Sequence, residues 1–404
     1  MNRRLFLLAS AVIDRSLNVI PEGFVEILGG RTVRSGARAG LSIPADAEVV
    51  DLGRAILMPG LVNAHCHLDY TLMKGEIPAD GGFAAWIARI VARKKTWSDA
   101  DYKTSIELGM RQCVESGTTL IANITCVPHL VSSLDLENAP RVWWFAEQID
   151  LGRTANPPEG SWEEMLRPRF DRQGFSLSPH ALHSVTPKRF RESVAFCNAH
   201  NLPWTTHVAE SREEWEMFHD ASGALFELTK KLGRDMSDCG EATPFQILRQ
   251  LSSGASTPAL LAHMNTLSDE DLALLSRNPK CFSVAHCPRS HAFFSHPAFR
   301  MNELRDSDVP VCLGTDSLAS NKDLSMFSEM RKMKKSFPQL SAGEVIQMAT
   351  LSGAKALGHG ADWADWADWI ALPDPGGPPA SSVIQFADSP FFVMVSGKIV
   401  KKTI

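Results

Sequence analysis

Eight short apolar runs, each followed by a longer segment of helical period, make up most of this 404-residue chain. Short runs rich in β-branched and aromatic residues predict strands, and alternation with helical segments predicts parallel βα units. A TIM-like (β/α)8 barrel, which is an α/β fold, contains eight such units. The predicted strands are Leu61–His67, Thr118–Thr125, Pro140–Gln148, Gly174–His180, Pro203–Glu210, Ala259–His263, Cys281–Pro288 and Val309–Asp316.

The segments between these runs carry apolar residues three and four positions apart, which is the pattern of a helix with one buried face. Such helices would cover the outside of the barrel. The clearest predicted helices are Asp101–Glu115, Pro187–His200, Arg212–Lys231, Asp269–Arg277 and Ser325–Lys335.

Both ends of the chain depart from this repeat and predict a second, smaller unit. We expect a β-sandwich domain formed by residues 1–58 and 361–404, beside a barrel domain of residues 59–360. The repeat Ala361–Trp369 places three tryptophans at intervals of three, which predicts a helical packing stripe leading into the sandwich. The predicted sandwich strands are Leu5–Ile13, Glu22–Leu28, Glu48–Leu52, Ser382–Ala387, Phe391–Val395 and Lys398–Val400.

Every predicted barrel strand ends on a polar side chain. A parallel strand that is buried on both faces is expected to be almost entirely apolar, so polar residues at all eight ends need an explanation. One strand-end histidine alone is usually a hydrogen-bonded rim residue, but a barrel brings its carboxyl strand ends together at the active-site face. The polar ends are His65 with His67, Asn123, Glu147, His180, His207 with Glu210, His263, His286 and Asp316.

Four of these polar residues predict a site for one divalent metal ion. His65 and His67 are two positions apart, so in a strand both imidazoles lie on the same face. His207 and Asp316 end later strands, and three imidazoles with one carboxylate suit Zn²⁺, with Fe²⁺ or Mn²⁺ as alternatives. The fourth strand ends at His180 without the lysine that a carbamate-bridged pair of metals needs, which favours a mononuclear site.

The charge of the chain indicates the kind of partner, and its cysteine content indicates the cellular compartment. The chain has 41 Lys and Arg against 46 Asp and Glu, a formal charge of −5, and lacks the basic face that a nucleic-acid polymer requires. No apolar stretch reaches the roughly 18 residues of a membrane span. The eight cysteines include no CxxC pair, which favours a reducing compartment. We therefore expect a cytoplasmic protein that acts on a small molecule.

The first residues leave an alternative open. Arg3 and Arg4 precede a short apolar run and small residues, an order that resembles an export signal. We favour a first β-strand, because Val12–Arg15 continues the run and Phe24–Val33 has the pattern of a partner strand and turn.

Five motifs, taken in their order along the chain, resemble the amidohydrolase superfamily, in the branch of S-adenosylhomocysteine/methylthioadenosine deaminase, aminodeoxyfutalosine deaminase, guanine deaminase and related chlorohydrolases. The resemblance covers nearly the whole chain and implies an enzyme, with relatives that are often dimers or larger. The motifs are Pro59-Gly-Leu-Val-Asn-Ala-His65-Cys-His67, Thr206-His207-Val-Ala-Glu210-Ser, Leu261-Ala-His263, His286-Cys-Pro-Arg-Ser290 and Leu313-Gly-Thr-Asp316-Ser-Leu-Ala-Ser-Asn321.

The resemblance also implies roles for individual residues. Metal ligands would be His65, His67, His207 and Asp316; Glu210 would be the proton shuttle, and His263 would contact the attacked centre. His180 stands where relatives have a substrate-contacting histidine.

Two positions depart from the pattern of the relatives. His291 follows Ser290 where they commonly have Asn, and the segment Gly81–Trp86 has no acidic residue of the kind that adenosine-type deaminases carry before the first barrel helix. Trp86 is either a ring-stacking residue or a helix-face anchor, and His291 is either a substrate contact or a solvated loop residue.

We therefore expect a deaminase that releases ammonia from an aminated heterocycle, either an adenosine-like nucleoside or a nucleobase. A bound Zn²⁺ lowers the pKa of water from ~15.7 to about 7, so that hydroxide is available to attack the carbon; Asp316 would accept the water proton and Glu210 would carry it. The same site could hydrolyse another C–N or C–Cl bond, as in a cyclic amide or chloro-triazine. A non-catalytic barrel is the alternative of a different class.

Overall fold

The computed structural model describes residues 4–151, 162–165, 173–277, 279–360 and 362–403. Most of the predicted barrel strands are present within one or two residues of the predicted bounds, because most of these runs are apolar and largely buried. They are β6 (Leu61–Cys66), β7 (Thr118–Thr125), β8 (Arg141–Gln148), β9 (Gln173–Pro179), β10 (Trp204–Val208), β11 (Ala259–His263), β12 (Phe282–His286) and β13 (Val311–Leu313).

These strands form two parallel sheets of four, in the orders β6-β7-β8-β9 and β10-β11-β12-β13. Parallel bridges connect the edges of the two sheets, one between Cys66 and Asp316 and one between Ala181 and His207. Two hydrogen bonds between Asn63 and Thr315 stabilise the first of these connections. Asn63 Nδ2 donates to Thr315 Oγ1 at 2.7 Å, and the Thr315 backbone amide donates to Asn63 Oδ1 at 3.0 Å. The fold therefore has eight parallel strands whose carboxyl ends lie on one side.

Strands from both ends of the chain form a separate mixed sheet, with the order β16-β15-β14-β5-β1-β2-β3 and β4 paired to β1. Pro59 is its last residue before the barrel strands, and it pairs with Trp369 across β5 and β14. β3, β5 and β14 were not predicted from the sequence. The strands are β1 (Arg4–Ile13), β2 (Val19–Leu28), β3 (Arg31–Ala37), β4 (Glu48–Asp51), β5 (Ala55–Pro59), β14 (Trp369–Pro373), β15 (Phe392–Val395) and β16 (Lys398–Lys402).

Fourteen helices are found in the described part of the chain, and none of these is long and apolar enough to cross a membrane. They are α1 (Gly82–Lys94), α2 (Asp99–Glu115), α3 (Trp162–Met165), α4 (Pro187–Ala199), α5 (Arg212–Asp220), α6 (Gly223–Lys231), α7 (Pro244–Leu251), α8 (Asp269–Arg277), α9 (Pro288–Phe293), α10 (Met301–Asp306), α11 (Met326–Ser336), α12 (Ala342–Met348), α13 (Leu351–Ala356) and α14 (Pro379–Gln385).

Three predictions of local structure were wrong, and the first two concern one helix and one strand. The single helix expected over Arg212–Lys231 is broken into α5 and α6, because Ala221 takes a left-handed conformation (φ 46°) that ends the first helix. The strand expected over Ser382–Ala387 is the end of helix α14, which starts at Pro379 and buries Val383 and Ile384 on one face. Proline at the first position suits a helix start, and adjacent buried residues fit a helix better than an alternating strand.

The three tryptophans of the terminal repeat do not lie on a regular helix. Trp363 is in a short 3-10 turn, Trp366 forms a bridge with Arg31, and Trp369 begins β14. The guanidinium of Arg15 lies 4.5 Å from the ring of Trp363 and 5.0 Å from that of Trp369. The repeat is therefore a packing element, as expected, but two of its tryptophans pack around the guanidinium of Arg15 instead of along a helix face.

Candidate active site

Five side chains at the carboxyl ends of four strands converge on one point, and we call them the ligand cluster. His65 lies in β6 and His67 directly follows it, while His207, His263 and Asp316 come from the ends of β10, β11 and β13. The Nε2 atoms of His67 and His207 are 3.1 Å apart. Asp316 Oδ1 lies 3.8 Å from His65 Nε2 and 3.9 Å from His67 Nε2. The structure thus brings the four predicted ligands and His263 together.

The hydrogen bonding of the ligand cluster fits a divalent cation. The backbone carbonyl of His180 lies 2.8 Å from His207 Nδ1, so Nδ1 carries the proton and Nε2 offers a lone pair. His65 Nε2 is buried without a hydrogen-bond partner among the described residues. Two nitrogen ligands of one tetrahedral Zn²⁺ are roughly 3.4 Å apart when each bond is ~2.1 Å. Converging lone pairs at this spacing are what a metal ion would satisfy.

Burial keeps these imidazoles in the form that binds metal. Loss of solvation lowers the pKa of His65, His67 and His263 well below the usual 6.5, and the neighbouring imidazoles lower it further. Burial also lowers the pKa of His207, although the hydrogen bond that His207 donates to the His180 carbonyl raises it in part. Neutral imidazole is the coordinating form, so these residues need lose no proton to bind a cation at neutral pH.

The backbone around the ligand cluster is strained. His263 (φ 77°), Asp316 (φ 57°) and Ala209 (φ 50°) take left-handed conformations that cost non-glycine residues on the order of 1–3 kcal/mol each. Gly314 allows β13 to approach β6 closely, since a Cβ there would lie 2.7 Å from the His65 carbonyl oxygen. The strand ends are therefore held in geometries that aim their side chains inward.

Two serines orient the Asp316 carboxylate. Ser290 Oγ donates to Asp316 Oδ2 at 2.6 Å, and Ser320 Oγ donates to the same oxygen at 2.8 Å. The Ser317 amide donates to Oδ1 at 2.7 Å. Both serines lie within the motifs given above, but no role was predicted for them from the sequence.

Glu210 lies beside the ligand cluster but is not part of it. Its Oε1 is 3.5 Å from His263 Nε2, and that nitrogen has no hydrogen-bond partner among the described residues. Burial raises the pKa of Glu210 well above its ordinary value, and the carboxylates of Asp316 and Glu214 raise it further. A buried carboxyl whose pKa is raised in this way and that lies next to a histidine is suited to proton transfer.

A cavity opens above the ligand cluster and contains two of the three predicted substrate contacts. Trp86 and His180 line it, together with apolar side chains of α1. His180 Nδ1 lies 2.6 Å from Ser184 Oγ, and the His180 ring centroid is 4.8 Å from that of His207. The Trp86 ring is stacked on Phe83 and lies edge-on to Phe294, with its Nε1 unpartnered among the described residues.

One predicted substrate contact and two of the polar strand ends are not among the residues that line this cavity. His291 is not among the residues that line it: its Nε2 lies 2.8 Å from the Pro297 carbonyl oxygen and its ring packs against His286. His286 is itself stacked on Phe299, with ring centroids 3.8 Å apart. Asn123 Oδ1 accepts the Leu68 amide at 2.7 Å. The expectation of a substrate contact at His291 is not supported by this geometry.

Three polar residues of the cavity were not singled out as functional from the sequence. Lys94 ends α1, Glu147 ends β8, and His183 follows β9; all three line the cavity. Glu147 was noted only as one of eight polar strand ends. Lys94 and His183 carried no signal, because a lysine at a helix end and a histidine after a strand are common on protein surfaces.

Comparison with known proteins agrees with this geometry. The chain is 28% identical over 331 residues to the 5-methylthioadenosine/S-adenosylhomocysteine deaminase of Halobacterium salinarum, covering 78% of this chain and 72% of the relative. Its fold matches the solved structure of an adenosine deaminase from Xanthomonas campestris with bound zinc (TM-score 0.83, 22% identity, 98% and 93% coverage). It also matches that of the Helicobacter pylori aminofutalosine deaminase with methylthio-coformycin (TM-score 0.85, 20% identity, 98% and 99% coverage). Residues 56–363 match the sequence pattern of the amidohydrolase family, and the chain belongs to that family.

Proposed function

We propose that the protein is a metal-dependent deaminase that hydrolyses the exocyclic C–N bond of an aminated heterocycle and releases ammonia. One observation carries the proposal: the buried carboxyl of Glu210 lies next to a cluster of neutral imidazoles and Asp316, without itself belonging to the groups that converge as ligands. A proton carrier beside a cation site is the arrangement that hydrolytic deamination needs.

His65, His67, His207 and Asp316 would hold one divalent cation. When bound, such a cation acidifies water so that hydroxide is available near neutral pH. Zinc is our first choice because the donor set is three imidazoles and one carboxylate, and Fe²⁺ and Mn²⁺ are the alternatives.

The residues around the cation site would move the protons. Glu210 would take one proton from the attacking water and deliver it to the ring nitrogen as the water oxygen adds to the amino-bearing carbon, and His263 would donate a hydrogen bond to that oxygen while the carbon is tetrahedral. Asp316 would accept the second proton of the same oxygen and pass it to the amino group, and the C–N bond then breaks to give ammonia and a ring carbonyl. Trp86 would stack on the ring and His180 would hydrogen-bond to it.

Hydrolysis of a different C–N or C–Cl bond at the same site, as in a cyclic amide or a chloro-triazine, is the second candidate. The hydroxide attack is shared, and only the fit of the leaving group differs. We place deamination first because the curated relatives are named as deaminases, and because Glu210 can protonate a ring nitrogen. We consider a non-catalytic barrel the weaker alternative, since the chain has the required residue at every ligand position and at the proton-shuttle position.

We also propose the domain organisation and the cellular location of the protein. The two bridges between the four-stranded sheets support a closed (β/α)8 barrel over residues 59–360. The terminal sheet, whose two faces bury separate apolar clusters, supports a sandwich domain from residues 1–58 and 361–404. The eight free cysteines suit a reducing compartment, so we place the protein in the cytoplasm with a small molecule as its partner.

An ammonia-release assay tests the proposed function. Zinc-loaded protein is incubated with adenosine derivatives, guanine, cytosine, pterins and chloro- and amino-triazines, and ammonia and chloride are both measured. We expect ammonia from at least one amino-heterocycle. Chloride release alone would favour the second candidate, and absence of both products across the panel, with metal bound, would contradict a hydrolase of this kind.

A further inference from the structure

Two neighbouring glutamates in the first turn of α5, Glu213 and Glu214, have no role in the proposed mechanism, yet each contacts a different part of the cavity's surroundings. We call them the glutamate pair. The helix starts at Arg212, and Ser211 caps it by accepting the Glu214 amide at 3.1 Å. Because α5 follows Glu210 directly in the chain, its first turn lies next to the proposed proton shuttle.

Glu214 holds the backbone of Glu210 from one side. Its Oε2 accepts the Glu210 amide at 2.7 Å, and the residue is 1% exposed. On the other side, Asn265 Nδ2 donates to the Glu210 carbonyl oxygen at 3.0 Å. The preceding residue, Ala209, has a φ of 50°, a conformation that persists only where surrounding contacts fix it. Buried side chains thus occupy both polar backbone groups of Glu210, which fixes the point from which its carboxyl reaches His263.

Glu213 holds the start of α1, the helix that forms one wall of the cavity. The Phe83 amide donates to its Oε1 at 2.6 Å, and the Ala84 amide donates to its Oε2 at 2.9 Å. Gly81, which precedes the helix, provides no side-chain cap, and the first turn of α1 contains no acidic residue. The first amides of a helix have no partner within the helix and favour a nearby negative charge. A glutamate 130 residues away therefore caps α1 in place of a local residue.

Gly82 makes this contact possible. Its φ is 86°, and a Cβ at this position would lie 2.4 Å from Glu213 Oε1. Glycine adopts such a conformation without strain and leaves room for the carboxylate. Directly beyond the contact, the rings of Phe83 and Trp86 are stacked on each other and line the cavity. The bond to Glu213 therefore determines where the aromatic wall of the cavity begins.

We propose that the glutamate pair positions the two sides of the cavity with separate effects. Glu214 fixes the orientation of Glu210 and so determines the rate of turnover, whereas Glu213 fixes the place of α1 and so determines the affinity for substrate. Neither glutamate is among the residues that line the cavity, so each acts through another residue. The inference rests on the proposed function, because both effects are defined for deamination.

Kinetics of Glu213→Ala test the first effect. Losing the cap of α1 should raise KM about three- to tenfold and change kcat by less than about twofold, with the zinc content unchanged. Glu213→Gln keeps one acceptor oxygen and should recover part of the affinity. Glu227→Ala, an exposed carboxylate on α6, is the matched control. A fall in kcat with unchanged KM in Glu213→Ala would contradict its assignment.

Glu214→Ala tests the second effect. A misplaced Glu210 should lower kcat about 10- to 100-fold while KM changes by less than about twofold. Glu214→Gln keeps an acceptor for the Glu210 amide and should recover most of kcat. Asn265→Ala removes the bond on the opposite side and should lower kcat in the same way, so the test stays decisive if Glu214→Ala does not fold. Wild-type kcat in the folded variants would contradict the assignment.

Hydrogen exchange, resolved to single residues by mass spectrometry, detects both contacts without turnover. We expect the amides of Phe83 and Ala84 to exchange at least about tenfold faster in Glu213→Ala, and the Glu210 amide to do so in Glu214→Ala. Zinc content and the thermal unfolding midpoint confirm that the variants are folded. Unchanged exchange at both places would overturn the inference, whether or not ammonia is released. Faster exchange at these amides, with no ammonia from any substrate, would support the positioning and contradict the deaminase proposal alone.

Discussion

The two sides of the cavity are built in different ways. The ligand cluster sits on strand ends whose backbone is strained and whose side chains are fixed by hydrogen bonds from their neighbours. The opposite side is formed by α1 and the ends of β8 and β9, and there neither ring nitrogen of His183 has a hydrogen-bond partner among the described residues. The comparison indicates that the strand ends hold the ligand cluster in a preorganised geometry, whereas the opposite side keeps polar atoms that a bound molecule could contact.

Asp316→Asn should give the largest loss, because it removes a charged ligand from the side that the protein has preorganised. We expect the metal content to fall below half an equivalent and kcat/KM to fall by at least about 10³. Elemental analysis and the ammonia assay are compared with Asp306→Asn, an exposed position on α10. Full metal and activity in Asp316→Asn would contradict the ligand set.

Glu210→Gln separates proton transfer from metal binding on the same side of the cavity. Since Glu210 is assigned no coordination, we expect kcat to fall by about 10²–10⁴ while the metal content stays near that of the wild type. Glu227→Gln, on the exposed face of α6, is the matched control. Loss of the metal in Glu210→Gln would show that this carboxylate is a ligand after all.

Ser290→Ala tests whether the hydrogen bonds behind Asp316 matter. Removing the 2.6 Å bond to Oδ2 should weaken metal affinity or activity by roughly 10- to 100-fold, the range for groups that orient a metal ligand. A chelator competition measures the affinity, with the exposed Ser276→Ala as the control. An effect below twofold on both would mean that Ser320 alone suffices.

Trp86→Leu and His291→Asn are expected to have the smallest effects, and they differ in a way that tests the shape of the cavity. Loss of ring stacking at Trp86 should raise KM about three- to tenfold. His291 bonds to the Pro297 carbonyl outside the cavity, so kcat/KM of His291→Asn should change less than twofold. The opposite order of effects would place His291 at the substrate.

The parts that could be predicted from the sequence are those where one physical constraint dominates. The strands are nearly continuous apolar runs, so their bounds differ from the prediction by few residues, and β7 and β11 match it. The ligand cluster could be found because its residues end these strands, and a parallel barrel brings strand ends together.

The rest depends on tertiary contacts that a pattern does not contain. The break between α5 and α6 is set by one left-handed alanine, a conformation that no sequence rule assigns to Ala221. His207 and His286 both end a strand, but only the first faces the cluster, while the second stacks on Phe299. Lys94 and His183 line the same cavity only because α1 and the segment after β9 lie next to each other in the fold, which no local sequence pattern contains.

The most direct test of the central claim is a metal titration of stripped protein. Protein dialysed against a chelator is reconstituted with increasing Zn²⁺, and in parallel with Fe²⁺ or Mn²⁺, while ammonia release is followed with the best substrate of the panel. We expect no turnover in the stripped protein and full recovery of ammonia release at one equivalent of metal per chain. Full activity without metal, or a requirement for two equivalents, would contradict a single ion held by His65, His67, His207 and Asp316.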